Sequence, residues 1–319
     1  VSLFPQLVAG PIVRAVNLLP QLRKPKLLNN ERLLRGVEFI VWGYFLKVVL
    51  ADNVGFVIDT NGYFEKPQEF NSFALMLGTF LFSFQIYGDF AGYSLIAIGI
   101  SKIMGFDLSP NFNRPYFSKN FSEFWKRWHI SLSSWLRDYL YISLGGNRKS
   151  SIRTYINLLL TMIIGGLWHG ASWTFIMWGF IHGSYLVIFR FFENFLSFNQ
   201  HQIIKFFQKC SLIFIVFVLT NIAWIFFRSN NLSDSFLILK KILLFDMDNA
   251  IGVLMSPILV KALLALIIVL IFDLCCEITS IYKFYERSLI SRIGGIIFSL
   301  WLIIALGNFS GNEFVYFQF

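Results

Sequence analysis

Long apolar runs decide what this chain can become. They fall at residues 36–58, 73–104, 173–195, 211–227 and 254–274, and several reach the roughly 20 residues that cross a bilayer as a helix. Lipid cannot satisfy open backbone groups, so runs like these span as helix. A barrel would alternate apolar and polar residues, and these runs do not. Composition agrees: 56% of the chain is hydrophobic and 14% charged, against about 25% charged in soluble domains. The fold class is therefore all-α, a polytopic integral membrane protein.

The formal net charge is +9. No nucleic-acid-binding module accompanies it, so the excess reads as cytoplasmic loops facing anionic lipid. Residues 23–35 carry Arg23, Lys24, Lys26, Arg32 and Arg35 against Glu31 alone, which places that loop inside the cell. Residues 59–69 carry Asp59, Glu65 and Glu69 against Lys66, which fits the outer side. Residues 1–20 are interrupted by Pro5, Gly10, Pro11 and Pro20 and read as re-entrant or interfacial.

At 1.5 Å per residue, 73–104 makes a helix of about 48 Å. That exceeds the roughly 30 Å core, so it is expected to tilt or break, with Gly88-Asp89 as the break. Residues 121–144 are amphipathic and read as helix at, or dipping into, the membrane. Leu144-Gly-Gly-Asn-Arg148 reads as a tight turn, and residues 154–167 and 293–306 as further helices. Residues 233–245 read as an interfacial helix capped at Ser233. Cys210, Cys275 and Cys276 lack metal-ligand spacing and are expected to be buried small side chains. With no repeat and no soluble segment, residues 1–319 read as one membrane domain.

Polar chemistry concentrates in residues 121–183. Three of the four histidines lie there, His129, His169 and His182, with six of the nine tryptophans. His169 sits in an apolar, glycine-flanked setting, where a neutral imidazole suits a general base. A histidine that bonds a backbone carbonyl at a helix break fits the same spacing. His129 follows Trp125-Lys-Arg-Trp128, and only folding could bring it to His169. His182, one turn from Trp178, reads as a packing or helix contact, and His201 as solvated loop. Asp89 inside an apolar run is a functional or helix-pairing residue. Asp138 beside Arg137 reads as an interfacial ion pair. Lys126, Arg127 and Arg148 suit either the phosphates of a donor or lipid headgroups. There is no Gly-x-Ser-x-Gly, no Walker motif and no clustered metal-ligand set. A histidine base without a nucleophile suggests direct transfer onto an acceptor hydroxyl.

Several stretches together carry a resemblance. They are Phe4-Pro-Gln-Leu-Val-Ala-Gly-Pro11, Phe84-Gln-Ile-Tyr-Gly-Asp-Phe-Ala-Gly-Tyr-Ser94, residues 124–139, Leu144-Gly-Gly-Asn-Arg148, Gly166-Leu-Trp-His-Gly-Ala171 and Phe314-Val-Tyr-Phe-Gln-Phe319. On these the chain resembles the membrane-bound O-acyltransferase (MBOAT) family, alginate O-acetyltransferase-like branch. The resemblance implies a helical ring with re-entrant helices and a central tunnel. It implies His169 as catalytic residue with His129 as the second motif histidine. Asp89, Trp128, Arg127, Asp138, Asn147, Arg148 and Trp168 become tunnel or donor-binding candidates. It further implies an acyl thioester donor such as acetyl-CoA, no bound cofactor or metal, and an extracytoplasmic esterase-like partner with a polysaccharide acceptor. The sister branch transfers D-alanine toward teichoic acid. A transporter without covalent chemistry is a third reading, which would call for an inverted repeat. Family members carry more helices ahead of Phe-Pro-Gln, so a longer parent protein is expected.

Overall fold

The computed structural model describes residues 10–23, 25–26, 29–192, 202–245, 257–278, 288–309 and 314. His201, most of the Phe-Pro-Gln motif and most of the C-terminal motif lie outside the described residues. The helices are α1 Ala15–Leu22, α2 Asn30–Tyr44, α3 Asp52–Asn61, α4 Ser72–Ile103, α5 Phe121–Arg127, α6 Ile130–Trp135, α7 Ser151–His169, α8 Trp173–Phe192, α9 Gln202–Arg228, α10 Leu232–Leu244, α11 Pro257–Glu277 and α12 Leu289–Leu306. Among the described residues, six stretches are long and apolar enough to span: α4, α7, α8, α12, Phe206–Arg228 and Leu259–Glu277. Among the described residues there is no strand. Residues 121–144 contribute no span; they form α5, α6 and a π-helical stretch, Leu136–Tyr141.

The described residues form two compact units. One draws on residues 1–61, 81–111 and 249–318, the other on 62–80 and 112–248.

In the first unit, α2 and α3 are joined by a π-helical stretch, Phe45–Ala51. Its loosened carbonyls find partners: Asn308 N–H donates to Val48 O (2.8 Å) and Asn53 Nδ2 to Val49 O (2.8 Å). Glycines set the packing of α2 on α4. A Cβ on Gly43 would lie 2.6 Å from Gly92 O, and one on Gly99 2.6 Å from Gly36 O. Pairing 36 with 99 and 43 with 92 means antiparallel helices meeting every seven residues, the small-residue contact of membrane helices. Gly88 belongs to this contact, its Cβ position 2.9 Å from a Leu50 methyl. That overturns the expected break: α4 is one continuous helix of 32 residues. Its apolar surface is mostly covered by protein, so its length is not set by bilayer thickness alone.

Two buried charge clusters lie in this unit. Lys47 Nζ lies 2.8 Å from Asp52 Oδ1 and 2.7 Å from Asp89 Oδ1. Arg292, buried on α12, donates to Glu38 (2.7 and 3.0 Å) and to Glu31 (2.9 Å to each oxygen). Pro20, expected to interrupt the first segment, is accommodated inside α1.

In the second unit, α7 and α8 form a tight antiparallel hairpin. Gly166 abuts Phe175 O, and Gly179 abuts Met162 O, with no room for a Cβ. The turn after residue 141 bends through left-handed Gly145 (φ 108°) and Gly146 (φ 56°). Buried Asn157 of α7 ties it down, Nδ2 donating to Gly146 O at 2.9 Å. α10 is capped by Asn231, whose Oδ1 accepts from Asp234 N–H at 2.8 Å, rather than by Ser233. Lys241 at its end donates to the carbonyls of Pro67, Gln68 and Phe70 (2.7–3.0 Å). Cys210 is exposed and Cys275 and Cys276 half-buried, so the expected burial fails. In a membrane protein an apolar helix faces lipid, and an apolar neighbourhood in sequence does not mean a protein interior.

Candidate active site

The site is built at the junction of α5 and α6. Asn120 caps α5, Oδ1 accepting from Glu123 N–H at 2.7 Å, which satisfies an orphan donor of the first turn. Glu123 in turn accepts from Lys119 N–H (3.0 Å) and Arg127 Nη2 (2.8 Å). The helix then stops at Trp128, whose backbone is extended. Trp128 is buried, stacked on Phe124 at 5.7 Å and packed on Trp224 at 5.1 Å. Ser133 Oγ donates to its carbonyl at 3.0 Å.

His129 follows in the left-handed region, φ 43° and ψ 54°. Non-glycine residues are uncommon there, at a cost of about 1–3 kcal/mol. The fixed indole of Trp128 on one side and α6 on the other hold it. The kink separates α5 from α6 and leaves His129 buried, its ring 6.3 Å from that of Trp168. Trp168 lies 5.0 Å from His169, the last residue of α7. The two histidines, distant in sequence, thus flank one indole. Trp168 is 56% exposed, which leaves this centre open on one side.

Around His169 the walls are aromatic: Trp178 and Phe227 at 5.2 Å each, and Phe175 at 6.2 Å. Gly170, immediately after it, has its Cβ position 2.7 Å from the Phe175 ring, so a side chain there would push that wall away. Burial pushes the His129 imidazole well below its ordinary value, and His169 pushes it the same way. His129 is therefore neutral near pH 7, and a neutral imidazole offers a lone pair for a proton. Among the described residues no three His, Cys, Asp or Glu side chains gather as metal ligands.

The other candidates divide. Trp128 and Trp168 belong to this centre. Arg127 is held by Glu123, with a weak contact to Arg114 O at 3.5 Å. Asp138 pairs with Arg137 at 2.7 Å, as its sequence setting suggested. Asn147 and Arg148 are exposed on the turn. Asp89 belongs to the first unit, where it pairs with Lys47. Sequence reasoning passed over that pair, although Lys47 inside an apolar run was its signal. His182, read as a packing contact, is buried among the rings of Phe121, Phe124, Trp125 and Trp178.

Fold and site define a multi-pass membrane protein with a paired-histidine centre at the end of a span. Residues 1–228 match the MBOAT, membrane-bound O-acyltransferase family, and the chain belongs to that family. The chain is 42% identical over 232 residues to the probable alginate O-acetylase AlgI of Azotobacter vinelandii, a match covering 73% of this chain and 44% of that protein. It is 41% identical over 245 residues to the peptidoglycan O-acetyltransferase of Helicobacter pylori, covering 75% and 45%. It is 32% identical over 202 residues to the teichoic acid D-alanyltransferase of Bacillus subtilis, covering 60% and 50%. The chain thus matches less than half the length of its O-acetyltransferase relatives. With such relatives and six apolar helices, it is a multi-pass protein of the bacterial inner membrane.

Proposed function

We propose that this chain carries the reaction centre of a membrane O-acetyltransferase acting on cell-envelope polysaccharide. The observation that carries the reading is the convergence of His129 and His169 on Trp168. In the proposed step His169 takes the proton of an acceptor hydroxyl, and the oxygen attacks the carbonyl carbon of an acyl thioester. The C–S bond breaks, an ester C–O bond forms, and the imidazolium returns its proton to the departing thiolate. His129, rigidly placed and neutral, orients the acceptor or donor. Aromatic walls exclude water, which strengthens the polar contacts within.

Trp128, Arg127, Asp138, Asn147, Arg148 and Trp168 are proposed as contacts along a tunnel or at the donor, and Asp89, in the first unit, is proposed as a candidate by itself. The donor is a cytoplasmic thioester, acetyl-CoA or a carrier-bound acyl group. The acceptor is alginate-like polysaccharide or peptidoglycan, reached through an extracytoplasmic esterase-like partner. Loop 23–35 faces the cytoplasm and 59–69 the outside, and residues 1–319 work as one membrane domain.

D-alanyl transfer toward teichoic acid is the second reading, supported by the 32% relative; the 41–42% relatives favour acetyl. The test uses the full-length protein in vesicles, offered acetyl and D-alanyl thioesters in turn. Preferential release of thiol from the acetyl donor is expected. Preference for the D-alanyl donor would replace the reading by its rival.

A further inference from the structure

α1 turns an apolar face away from the protein. Val16, Leu19 and Leu22, each three residues from the next, share one side of the helix. They are 72%, 51% and 55% exposed, with Ile12 just ahead at 38%, whereas Leu18 is buried. Gln21 fastens α1 to the segment after α4. Its Nε2 donates to Asp107 O at 3.0 Å, and its Oε1 accepts from Asp107 N–H at 2.8 Å.

That fastening sets a depth. α4 is a candidate span of 32 residues. At about 48 Å it matches the roughly 40–45 Å of a bilayer with its headgroup layers. Asp107 lies just past its last residue, Ile103, so α1 is held at the level of a headgroup layer. The eight residues of α1 make about 12 Å of helix, too little to cross. A short helix at that depth, with apolar side chains outward, lies in the membrane plane with one face in the acyl chains.

Charge chooses the lipid. Arg14 and Arg23 bracket α1 at its two ends, and Arg23 is exposed. Lys26 follows, its Nζ 4.3 Å over the Phe106 ring. Asp107, the acid at this junction, is already engaged by Arg32 and by Lys102 at 3.0 Å. The surplus is positive, which suits anionic headgroups. A stable protein partner covers about 800 Å² per side, beyond one face of so short a helix.

We propose that α1 is an interfacial foot that seats Val16, Leu19 and Leu22 in one leaflet and binds anionic phospholipid through Arg23. On the topology proposed above that leaflet is the cytoplasmic one. The lipid contact depends neither on that topology nor on acyl transfer.

The test places the photoreactive residue benzoylphenylalanine at Leu19 of the full-length protein. The protein is reconstituted in vesicles of equal parts phosphatidylglycerol and phosphatidylcholine, and the adduct is identified by mass spectrometry. A phospholipid adduct is expected, with phosphatidylglycerol in excess. Arg23→Gln should lower that excess about fivefold, the weight of one cation near an anionic surface. The same label at Asn17, exposed on the other side of α1, should give less lipid adduct. Should the label at Leu19 prevent folding, Val16, more exposed still, carries it. A protein adduct, no lipid adduct, equal amounts of the two lipids, an excess that Arg23→Gln leaves unchanged, or equal lipid labelling from Asn17 overturns the proposal.

Discussion

Lys47 is the cation on which two buried carboxylates depend. Asp89 is 1% exposed and Asp52 6%, and Lys47 Nζ reaches one oxygen of each at 2.7 and 2.8 Å. Lys47→Met keeps the side-chain length and removes the charge, leaving two carboxylates without that partner. Stripping one member from a buried charge pair costs about 3–5 kcal/mol. Asp89→Asn is a milder change. It preserves volume, leaves the Lys47–Asp52 pair intact, and replaces the ion pair with a neutral contact, for about 1–2 kcal/mol. The double variant Lys47→Met/Asp89→Asn removes one of the two facing negative charges and should be more stable than Lys47→Met alone. The two changes are thus coupled with a sign that simple additivity forbids. The assay is denaturant unfolding of the detergent-solubilised protein, followed by tryptophan fluorescence. The reasoning is refuted if Lys47→Met costs no more than Asp89→Asn, or if the double variant is less stable than Lys47→Met.

Gly43→Leu places a side chain where a Cβ already lies 2.6 Å from Gly92 O; overpacking of about 1–3 kcal/mol or more should lower the unfolding midpoint, whereas Gly294→Ala, with open space around it, should not. Asn157→Ala deletes the bond to Gly146 O (2.9 Å) and should cost about 1–3 kcal/mol, seen as faster proteolysis of the turn at residues 142–148. Asp107 bears on pH: burial raises its carboxyl, but Lys102 at 3.0 Å and Arg32 outweigh it and hold the group below its usual range. A lowered carboxylate stabilises above the unfolded value, about 3.9, and that support is lost as pH falls through the lower folded value. Asp107→Asn should therefore be less stable than wild type near pH 7, by a salt-sensitive margin, with the two converging in acid.

Hydropathy is summed over some twenty residues, and that made the spans legible. Six helices fall on predicted apolar runs. The turn at 144–148 was legible for a local reason, since two consecutive glycines supply the left-handed angles it uses. Gly88 misled because a glycine in a membrane helix signals close approach as readily as a break, and only the position of Leu50 decides between them. The cap of α10 was misplaced by two residues because Asn231 and Ser233 offer the same capping chemistry, and it is Asn231 that accepts from Asp234 N–H. At the site, the residue types were readable and the contacts were not. Nothing local joins His129 to His169; that depends on the left-handed kink at His129 and on the packing of α7 against α8. The Lys47–Asp89 pair was hidden likewise, being a contact between two separate apolar runs.

The most direct test concerns His169. In the full-length protein His169→Gln keeps a polar side chain of similar reach and removes the base, and general-base assistance supplies about 10²–10⁴-fold in rate. Envelope acetylation should fall by that factor while membrane insertion and abundance stay at wild-type levels. A stably inserted His169→Gln protein that acetylates at the wild-type rate would contradict the account and leave His169 as one more member of an aromatic wall.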